Sequence, residues 1–407
     1  MTAAADPEHR PAAPTALMFV LLGSMFAFLP VGMDFYLPAV PEIGRALKAD
    51  PGTMQLTLAA YFVGIAGGQF IWGPASDRFG RRTPLFVGIA VFIAATIGCS
   101  LSPNVETLIL MRFIQAIGVS ASMVIVRAIV FDMFGVREGA RFTSHLMLIM
   151  GVAPILAPIV GGWIVVHSDW RVVFYAVAAL SFAISLTAYF RLPETRSAAA
   201  ALTSRGESVF ASLKAVITNK RLIRTSIVGA LGSASFYTYI SNAPALLMNG
   251  YGIAPEHFGF FFGFNAIGGI AASQINRAIL VRMHPEDVLD RSVIVTFCLG
   301  VLLALFAFTG WFGMWGVLTP LFFVIASFPF VFPNAAAIAQ GEDMQRPGVV
   351  ATVTGALGHI LGAACAAITG AFVDGTARPL AVTVVVATGL ALILRWTSQR
   401  RRAMAQH

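Results

Sequence analysis

Runs of about 20 predominantly apolar residues repeat along the chain, and short polar stretches separate them. A run of this length forms a helix that crosses a lipid bilayer. We therefore expect twelve transmembrane helices, covering residues 15–38, 53–73, 83–101, 105–131, 142–166, 170–191, 223–248, 257–281, 288–309, 313–338, 348–373 and 379–397. The pattern predicts an all-α integral membrane protein.

Composition supports this prediction. Of the 407 residues, 57% are hydrophobic and 11% are charged, whereas a soluble protein has about 25% charged residues. The mean hydropathy is +0.80. A chain with so little polar surface does not form a soluble globule, so we expect the lipid bilayer as its surroundings.

The longest polar interruption, residues 192–222, separates six predicted spans from six. It predicts a cytoplasmic linker between an amino-terminal bundle, 1–191, and a carboxy-terminal bundle with a basic tail, 223–407. Weak internal echoes fit a duplication, such as "GIAGGQF" in the second span and "NAIGGIA" in the eighth. Two six-helix bundles related by pseudo-two-fold symmetry are typical of secondary transporters, in which the substrate site lies between the bundles.

The net charge of +8 is unevenly distributed. We assign Arg45, Lys48, Arg171 and Arg378 to the outer loops and Arg112 to a span, which leaves 22 of the 27 basic residues on the other side. By the positive-inside rule, both termini then lie in the cytoplasm. The basic clusters are topology signals, and we expect no nucleic-acid partner.

Two further features concern processing and redox chemistry. The first apolar run is too long for the core of a signal peptide and has no clean small-residue cleavage site, so we expect it to remain attached. The three cysteines, Cys99, Cys298 and Cys365, lie within predicted spans. They are expected to be buried small residues without disulfides.

The chain contains four distinctive motifs. "GPASDRFGRR", residues 73–82, lies between the second and third spans, where Gly73 and Gly80 would allow a sharp turn. "LILMRFIQAIGVSA" lies in the fourth span, "GVAPILAPIVGG" in the fifth, and "RLPETR" closes the sixth.

Together these motifs resemble the major facilitator superfamily, whose loop signature is G-x-x-x-D-R-x-G-R-R. "MDFYLPAVP" and "RAIVFDMF" are similar to the bicyclomycin and chloramphenicol resistance subfamily of drug/proton antiporters. The resemblance covers the amino-terminal half, whereas the counterpart loop "NRAILVRMH" lacks the acidic residue. It implies the major facilitator fold, a bacterial inner-membrane location, a monomer, a small-molecule substrate, and protons as coupling ion without a cofactor.

The resemblance also implies a cytoplasmic latch. Asp77 would lie against the amino terminus of the eleventh helix near Gly348, and Arg81 would pair with Asp132. These contacts would hold the two halves together in the outward-open state. A plain positive-inside anchor would explain the arginines but not the acid. The full predicted latch is Gly73, Asp77, Arg78, Gly80, Arg81, Arg82 and Asp132.

The fifth span has small residues and prolines at intervals of three or four, which places them on one face. This antiporter helix comprises Gly151, Pro154, Pro158, Gly161 and Gly162. Such a face allows close approach of another helix, and its prolines stiffen or kink it. Ordinary close packing is the alternative, whereas the resemblance implies export.

Charged residues within the spans are few and therefore informative. Asp34 and Arg112 lie roughly 6 and 10 Å below the outer face at 1.5 Å per residue, so the two can meet and couple transport to protons. A structural ion pair is the alternative. Polar and aromatic residues that are candidates for the substrate cavity are Tyr36, Gln55, Tyr61, Gln115, Tyr239, Asn242, Phe264, Asn265 and Asn334.

No histidine has the spacing of a metal ligand, so we expect no metal site and assign His145 and His359 to helix packing or a gate. We find no cluster of His, Asp or Ser at the bilayer edge, so an enzyme is not expected. The sequence predicts a proton-coupled exporter of small amphipathic, drug-like compounds of the bicyclomycin, chloramphenicol or sulfonamide type. An exporter of a small metabolite such as an amino acid or nucleoside, an uptake symporter and a channel remain alternatives.

Overall fold

The computed structural model describes residues 16–196 and 209–405, and these form α-helices joined by short turns. We number the twelve long helices α1 to α12. The first, α1, is bent and consists of Leu17–Phe26 and Phe28–Ala46. α4 and α5 form one run, Val105–His167, with α4 ending at Gly135. The other helices are α2 Pro51–Phe79, α3 Arg82–Ser100, α6 Arg171–Arg191, α7 Lys220–Ala243, α8 Pro255–Ile279, α9 Pro285–Thr309, α10 Gly313–Gly341, α11 Pro347–Ala371 and α12 Arg378–Ala405; a linker helix, Val209–Thr218, precedes α7.

Every predicted span coincides with a helix. Within the described residues, nine helices are long and apolar enough to cross a membrane alone, and α1 becomes a tenth if its two pieces form one span. The remaining two are α7 and α5, whose apolar part is Gly151–His167. The predicted linker is only partly described, since residues 197–208 fall outside the described ranges.

Local sequence explains where helices begin, bend and end. Asp50 caps α2 by accepting hydrogen bonds from the backbone N–H groups of Gly52 and Thr53, at 2.9 and 3.0 Å. α1 is bent by 45° at Ala27, and Pro30, which has no N–H for the carbonyl of Phe26, explains this break.

Prolines and glycine break two further helices. α10 consists of Gly313–Ala326 and Phe328–Gly341, and its break precedes Pro329, which cannot donate to Ile325. α4 turns into α5 at Gly135, whose φ of 67° suits glycine. The interrupted helices α1 and α10 are of the kind that line transporter sites.

Helices α1–α6 pack together as a first bundle and α7–α12 as a second. In the first, α4 packs on α2 and α3, whereas in the second α7 packs on α10, α11 and α12. The buried Arg395 of α12 forms an ion pair with the partly exposed Asp290 of α9. The two bundles contact each other through α2 with α11 and through α5 with α8.

We use the word outer for the face that carries the α1–α2 and α5–α6 turns, following the predicted topology. The bundles are closed together at this face: a Cβ atom on Gly52 of α2 would lie 2.5 Å from the carbonyl oxygen of Gly370 of α11. Near the opposite face, Cβ positions on Gly73 of α2 and Gly348 of α11 have no atom within 4 Å. α2 and α11 therefore touch at the outer face and also further down, where a Cβ on Gly355 would lie 3.0 Å from the side chain of Gln69.

Two details differ from the predictions. Cys298 is exposed on α9 and is not a buried core residue, because it lies on a face without protein neighbours. Arg127, counted with the cytoplasmic charges, lies within α4, two turns before the helix ends at Gly135. A basic residue near the end of a span contributes to a sequence-based charge count whether or not its side chain lies outside the membrane.

Candidate functional site

A buried arginine lies at the centre of the first bundle. Arg112 of α4 has no exposed surface, and its guanidinium lies between the rings of Tyr36 and Tyr61, 4.4 and 4.2 Å from their centroids. Its Nη1 donates hydrogen bonds to the carbonyl oxygen of Gly32 at 2.8 Å and to Oε1 of Gln115 at 2.6 Å. Two aromatic faces and two oxygen acceptors thus stabilise a charge that is excluded from water.

Asp34 lies near this guanidinium but is not bonded to it. Within the described part of the chain, both carboxyl oxygens are buried without a hydrogen-bond partner, and Nε and Nη2 of Arg112 also lack partners. Arg112 nevertheless reaches the same part of α1, because it bonds the carbonyl oxygen of Gly32, two residues before Asp34. The expected proximity is present, but the alternative of a structural ion pair does not fit, because the guanidinium is bonded instead to Gly32 and Gln115.

Three predicted cavity residues belong to this same cluster. The hydroxyl groups of Tyr36 and Thr57 lie 2.7 Å apart, and Tyr61 donates to the carbonyl oxygen of Leu29 at 3.1 Å. Gln115 donates to Oγ1 of Thr96 at 2.8 Å. Tyr36, Tyr61 and Gln115 are therefore buried inside the first bundle around Arg112, and in this conformation they do not line an open cavity.

Two other predicted cavity residues join the bundles near the outer face. Nε2 of Gln55 on α2 donates to Oδ1 of Asn242 on α7 at 2.8 Å, and both side chains are buried. The Oε1 atom of Gln55 has no partner. This hydrogen bond lies one turn below the contact between Gly52 and Gly370, so it belongs to the closed outer end.

The remaining predicted cavity residues lie in the second bundle. Nδ2 of Asn265 donates to the hydroxyl of Tyr239 at 2.9 Å, and Nδ2 of Asn334 donates to Oδ1 of Asn276 at 3.0 Å. These bonds tie α8 to α7 and to α10. Phe264 differs, because its side chain is 60% exposed on α8 beside Phe322.

The antiporter helix, α5, contacts two partners rather than one. A Cβ on Gly162 would collide with the carbonyl oxygen of Pro255 on α8, and Gly151 lies against Ile270 of the same helix. Gly161 instead lies against the backbone of α1 at Phe35. Pro154 and Pro158 lie inside α5 without breaking it. Small residues thus let α5 approach α8 in the other bundle and α1 in its own.

The cytoplasmic loop forms a network around Arg81, which is 7% exposed. Its Nε donates to Asp132 at 2.7 Å, as the resemblance implies, and its Nη1 donates to Asp77 at 2.7 Å. Arg196, just after α6, also donates to Asp77, at 2.9 Å. The loop is therefore tied to the ends of α2, α4 and α6.

Two predictions about this loop are wrong for the observed conformation. Among the described residues Asp77 forms no ion pair or hydrogen bond with the amino terminus of α11, and Arg81 and Arg196 of its own bundle bind it instead. Gly73 does not form a turn, since it lies inside α2. Gly80 alone has the turn conformation, with φ of 83°. Arg78 and Arg82 lie over the rings of Phe79 and Tyr189, at 5.4 and 4.8 Å.

Glu194 of the "RLPETR" motif caps the amino terminus of α3, although it lies 112 residues after Arg82 in the chain. Its carboxylate accepts hydrogen bonds from the backbone N–H groups of Arg81, Arg82 and Arg196, at 2.8, 3.0 and 3.0 Å. Partial burial acts to raise the pKa of Glu194, but these hydrogen bonds outweigh it and hold the pKa below its ordinary value. The motif therefore fastens the end of α6 to the start of α3.

Sequence reasoning missed a group of aromatic rings in the second bundle. Phe236 and Tyr237 of α7, Phe328 of α10 and His359 of α11 lie in contact near the middle of the membrane-spanning helices. Phe62 of α2 lies edge-on to Tyr237, with ring centroids 4.9 Å apart. The repeated phenylalanines of "SFPFVFP" in α10 were the available signal.

Two helical bundles around buried charged and polar groups, in close contact at the outer face, are the arrangement of a membrane transporter. The profile of the Major Facilitator Superfamily matches residues 20–370, and the chain belongs to this family. It is a transporter and not an enzyme, as the sequence predicts.

Among similar proteins, YdgK, an MFS-type transporter of Bacillus subtilis, is 31% identical over 383 residues, covering 93% of this chain and 94% of the relative. A bicyclomycin resistance protein homolog of Haemophilus influenzae is 25% identical, covering 91% and 93%. A chloramphenicol resistance protein of Pseudomonas aeruginosa is 31% identical, covering 84% and 81%. The resemblance drawn from the motifs is thereby confirmed.

Solved structures share the fold at low sequence identity. A crystal structure of the D-xylose-proton symporter aligns with a TM-score of 0.73 at 13% identity, covering 94% of this chain and 98% of that one. A crystal structure of a point mutant of the nucleoside transporter NupG also aligns with a TM-score of 0.73, at 14% identity, covering 93% and 97%. These neighbours show that the fold is shared over nearly the whole chain.

Proposed function

We propose that this protein exports small amphipathic, drug-like compounds in exchange for protons. The resistance names of the relatives and the glycine- and proline-rich α5 support export. The observation that carries proton coupling is the pair formed by Asp34, buried with both oxygens unpartnered, and the nearby guanidinium of Arg112. We further propose a monomer in a bacterial inner membrane with both termini in the cytoplasm.

The chemistry of the pair follows from its surroundings. An unpartnered carboxylate is costly to bury, whereas a protonated carboxyl group is not, so the closed outer face favours Asp34 with its proton. Arg112 opposes this effect by stabilising the anion. A change in the position of Arg112 therefore changes the proton affinity of Asp34.

Transport follows as an exchange. When the cavity opens outward, Asp34 takes up a proton; when it opens to the cytoplasm and a substrate enters, the substrate displaces the proton directly or by moving Arg112 and Gln115. Because Gln115 holds the guanidinium at 2.6 Å, it transmits such a movement. Substrate and proton thus compete for one state of the site, which is the requirement for antiport.

The latch belongs to the same cycle. In the observed conformation Asp77 is bound by Arg81 and Arg196 within the first bundle. We propose that Asp77 binds the amino terminus of α11 once the cytoplasmic ends close, where the helix dipole and free N–H groups favour a carboxylate. Asp132 keeps Arg81 in place in both states.

The test uses purified protein in liposomes. The solution that bathes the predicted outer face is made acidic relative to the other side. Under this proton gradient the wild type is expected to drive labelled chloramphenicol uphill, and it is expected to release protons when substrate is added. Asp34→Asn mimics the protonated group and is expected to abolish uphill transport while leaving binding. Asp169→Asn, which alters a 53% exposed carboxylate in the α5–α6 turn, is the matched control and is expected to remain active.

Uphill pumping by Asp34→Asn would place the coupling site elsewhere. Substrate movement in the same direction as the proton would favour an uptake symporter. Saturable, proton-driven export of amino acids or nucleosides, without any of the drug-like compounds, would favour the metabolite exporter.

A further inference from the structure

The aromatic rings in the second bundle are arranged as a stack. The rings of Phe236 and Phe328 lie 4.7 Å apart at 23°, and those of Phe328 and Phe332 lie 5.8 Å apart at 8°. Phe328 and Phe332 share a face of α10 with the buried Ala335 and turn away from its exposed stripe. The rings therefore face the interior of the protein.

These rings are only partly buried, although they lie at mid-membrane and away from the lipid-facing stripe. Phe236, Phe328 and Phe332 all retain accessible surface, whereas most of their α7 neighbours are fully buried. Each ring therefore keeps some surface that neighbouring side chains leave uncovered and that does not lie on the lipid-facing stripe. The parts of the rings that remain accessible beside these stacks offer an apolar, polarisable surface to a ligand.

Tyr237 and His359 extend this surface to the contact between the bundles. Their rings lie 5.3 Å apart, and Phe62 of the first bundle is edge-on to Tyr237. Two glycines of α11 make room: a Cβ at Gly362 would lie 2.5 Å from the ring of Tyr237, and one at Gly358 would lie 3.0 Å from Phe332. α11 therefore admits bulky rings at this level by omitting side chains.

His359 has a defined hydrogen-bonding role. Its Nδ1 lies 2.8 Å from the carbonyl oxygen of Gly355, and since a carbonyl only accepts, Nδ1 carries the hydrogen. In the neutral ring the lone pair then lies on Nε2. Among the described residues, the hydrogen bond of Nδ1 is the one that the His359 ring makes, and the hydroxyl of Tyr237 makes none. An acceptor and a hydroxyl group are thus free beside the stacked rings.

From this arrangement we infer that Phe236, Phe328 and Phe332 bind a planar aromatic ring of the exported compound, and that Nε2 of His359 accepts a hydrogen bond from its hydroxyl or N–H group. The substrate class is aromatic compounds with a hydrogen-bond donor. The inference rests on the proposed function and specifies part of its substrate site. It separates recognition, in the second bundle, from the proton site around Asp34 in the first.

Two compounds named for relatives allow a direct test, because chloramphenicol contains an aromatic ring and bicyclomycin does not. Phe236→Leu and Phe328→Leu remove a ring but keep an apolar side chain. Each is expected to raise the apparent KM for chloramphenicol about fivefold with little change in kcat, and to leave the KM for bicyclomycin within about twofold. Phe323→Leu, on the exposed side of the same helix α10, is the matched control.

The hydrogen bond is tested with a pair of competitors, 2-naphthol and its methyl ether, which share a ring system and differ in the donor. Wild-type protein is expected to bind the naphthol about five times more tightly, and His359→Phe, which keeps a ring beside Tyr237, is expected to lose that preference. Equilibrium binding to detergent-solubilised protein measures it without transport.

The outcomes separate the two proposals. Wild-type protein that binds chloramphenicol and 2-naphthol but does not pump contradicts the proposed function and leaves the aromatic site supported. Equal KM changes for chloramphenicol and bicyclomycin in the leucine variants indicate a structural effect and overturn the site. The site is also overturned if the KM values stay unchanged in the leucine variants, or if His359→Phe keeps the preference for 2-naphthol. It is overturned as well if wild-type protein binds no aromatic compound.

Discussion

The closed outer face depends on backbone contact between glycines, which makes Gly52→Ala an informative change. The added Cβ would lie 2.5 Å from the carbonyl oxygen of Gly370, about 0.9 Å nearer than ordinary contact allows. Neither partner is a flexible side chain, so α2 and α11 must separate. Overpacking of this kind costs about 1–3 kcal/mol, and here the cost arises only in the outer-closed state.

A cost of about 1–3 kcal/mol on one state shifts a two-state equilibrium about 5- to 150-fold towards the other. We therefore expect Gly52→Ala to favour the outward-open conformation. The measurement is a distance between spin labels at Asp169 and Thr309, both exposed in outer turns of different bundles, in protein whose three native cysteines are replaced. The outer-closed state gives a short distance between the labels and the outward-open state a long one. In Gly52→Ala the long distance is expected to gain population, and uphill export is expected to slow.

Gly67→Ala is the matched control, because Gly67 lies on the same helix and a Cβ there meets no atom within 4 Å. It is expected to leave both the distance distribution and transport unchanged. An unchanged distribution in Gly52→Ala, or an equal shift in Gly67→Ala, would refute the reasoning that this contact controls closure.

Three further predictions concern the cytoplasmic side and topology. Glu194→Gln keeps one acceptor for the α3 N–H groups but loses the charge, and is expected to lower thermal stability by about 1 kcal/mol at neutral pH. Because folding lowers the pKa of Glu194, its contribution is present above the ordinary glutamate pKa and is lost as pH falls through the lower folded value. The melting temperatures of wild type and variant are therefore expected to converge in acid. Asp77→Asn is expected to slow transport at unchanged expression, measured by uptake and immunoblot, and full activity would reduce the loop to an anchor. Cysteines at Pro103 and Met344, both exposed, are expected to react with an impermeant thiol reagent in intact cells only at Pro103, and the reverse order would invert the topology.

The places of the helices could be predicted because transfer of each apolar residue to lipid contributes almost independently to insertion. Predicted and observed bounds agree for α3 and α6 to within a residue. The broken α1 and α10 were not predicted, although Pro30 and Pro329 lie at the breaks. A proline alone does not reveal whether a span bends or remains one helix.

Site residues were harder to predict because their roles depend on helix rotation and on conformation. Tyr239 was chosen as a cavity residue, yet it bonds Asn265 inside the bundle, whereas Tyr237, two positions earlier, reaches the interface. Asp77 was expected at α11, a contact that the observed conformation does not contain.

The environment of Arg112 has a consequence for biogenesis. An arginine at the centre of an isolated helix costs about 2.5–3.5 kcal/mol to insert, and α4 carries Arg127 as well. The rings that cover Arg112 belong to α1 and α2, which precede α4 in the chain and leave the ribosome first. The nascent α4 therefore meets Tyr36 and Tyr61 already in the bilayer, so its partition from the translocon is assisted by helices synthesised before it. The order of synthesis, and not only the final fold, makes this helix acceptable to the membrane.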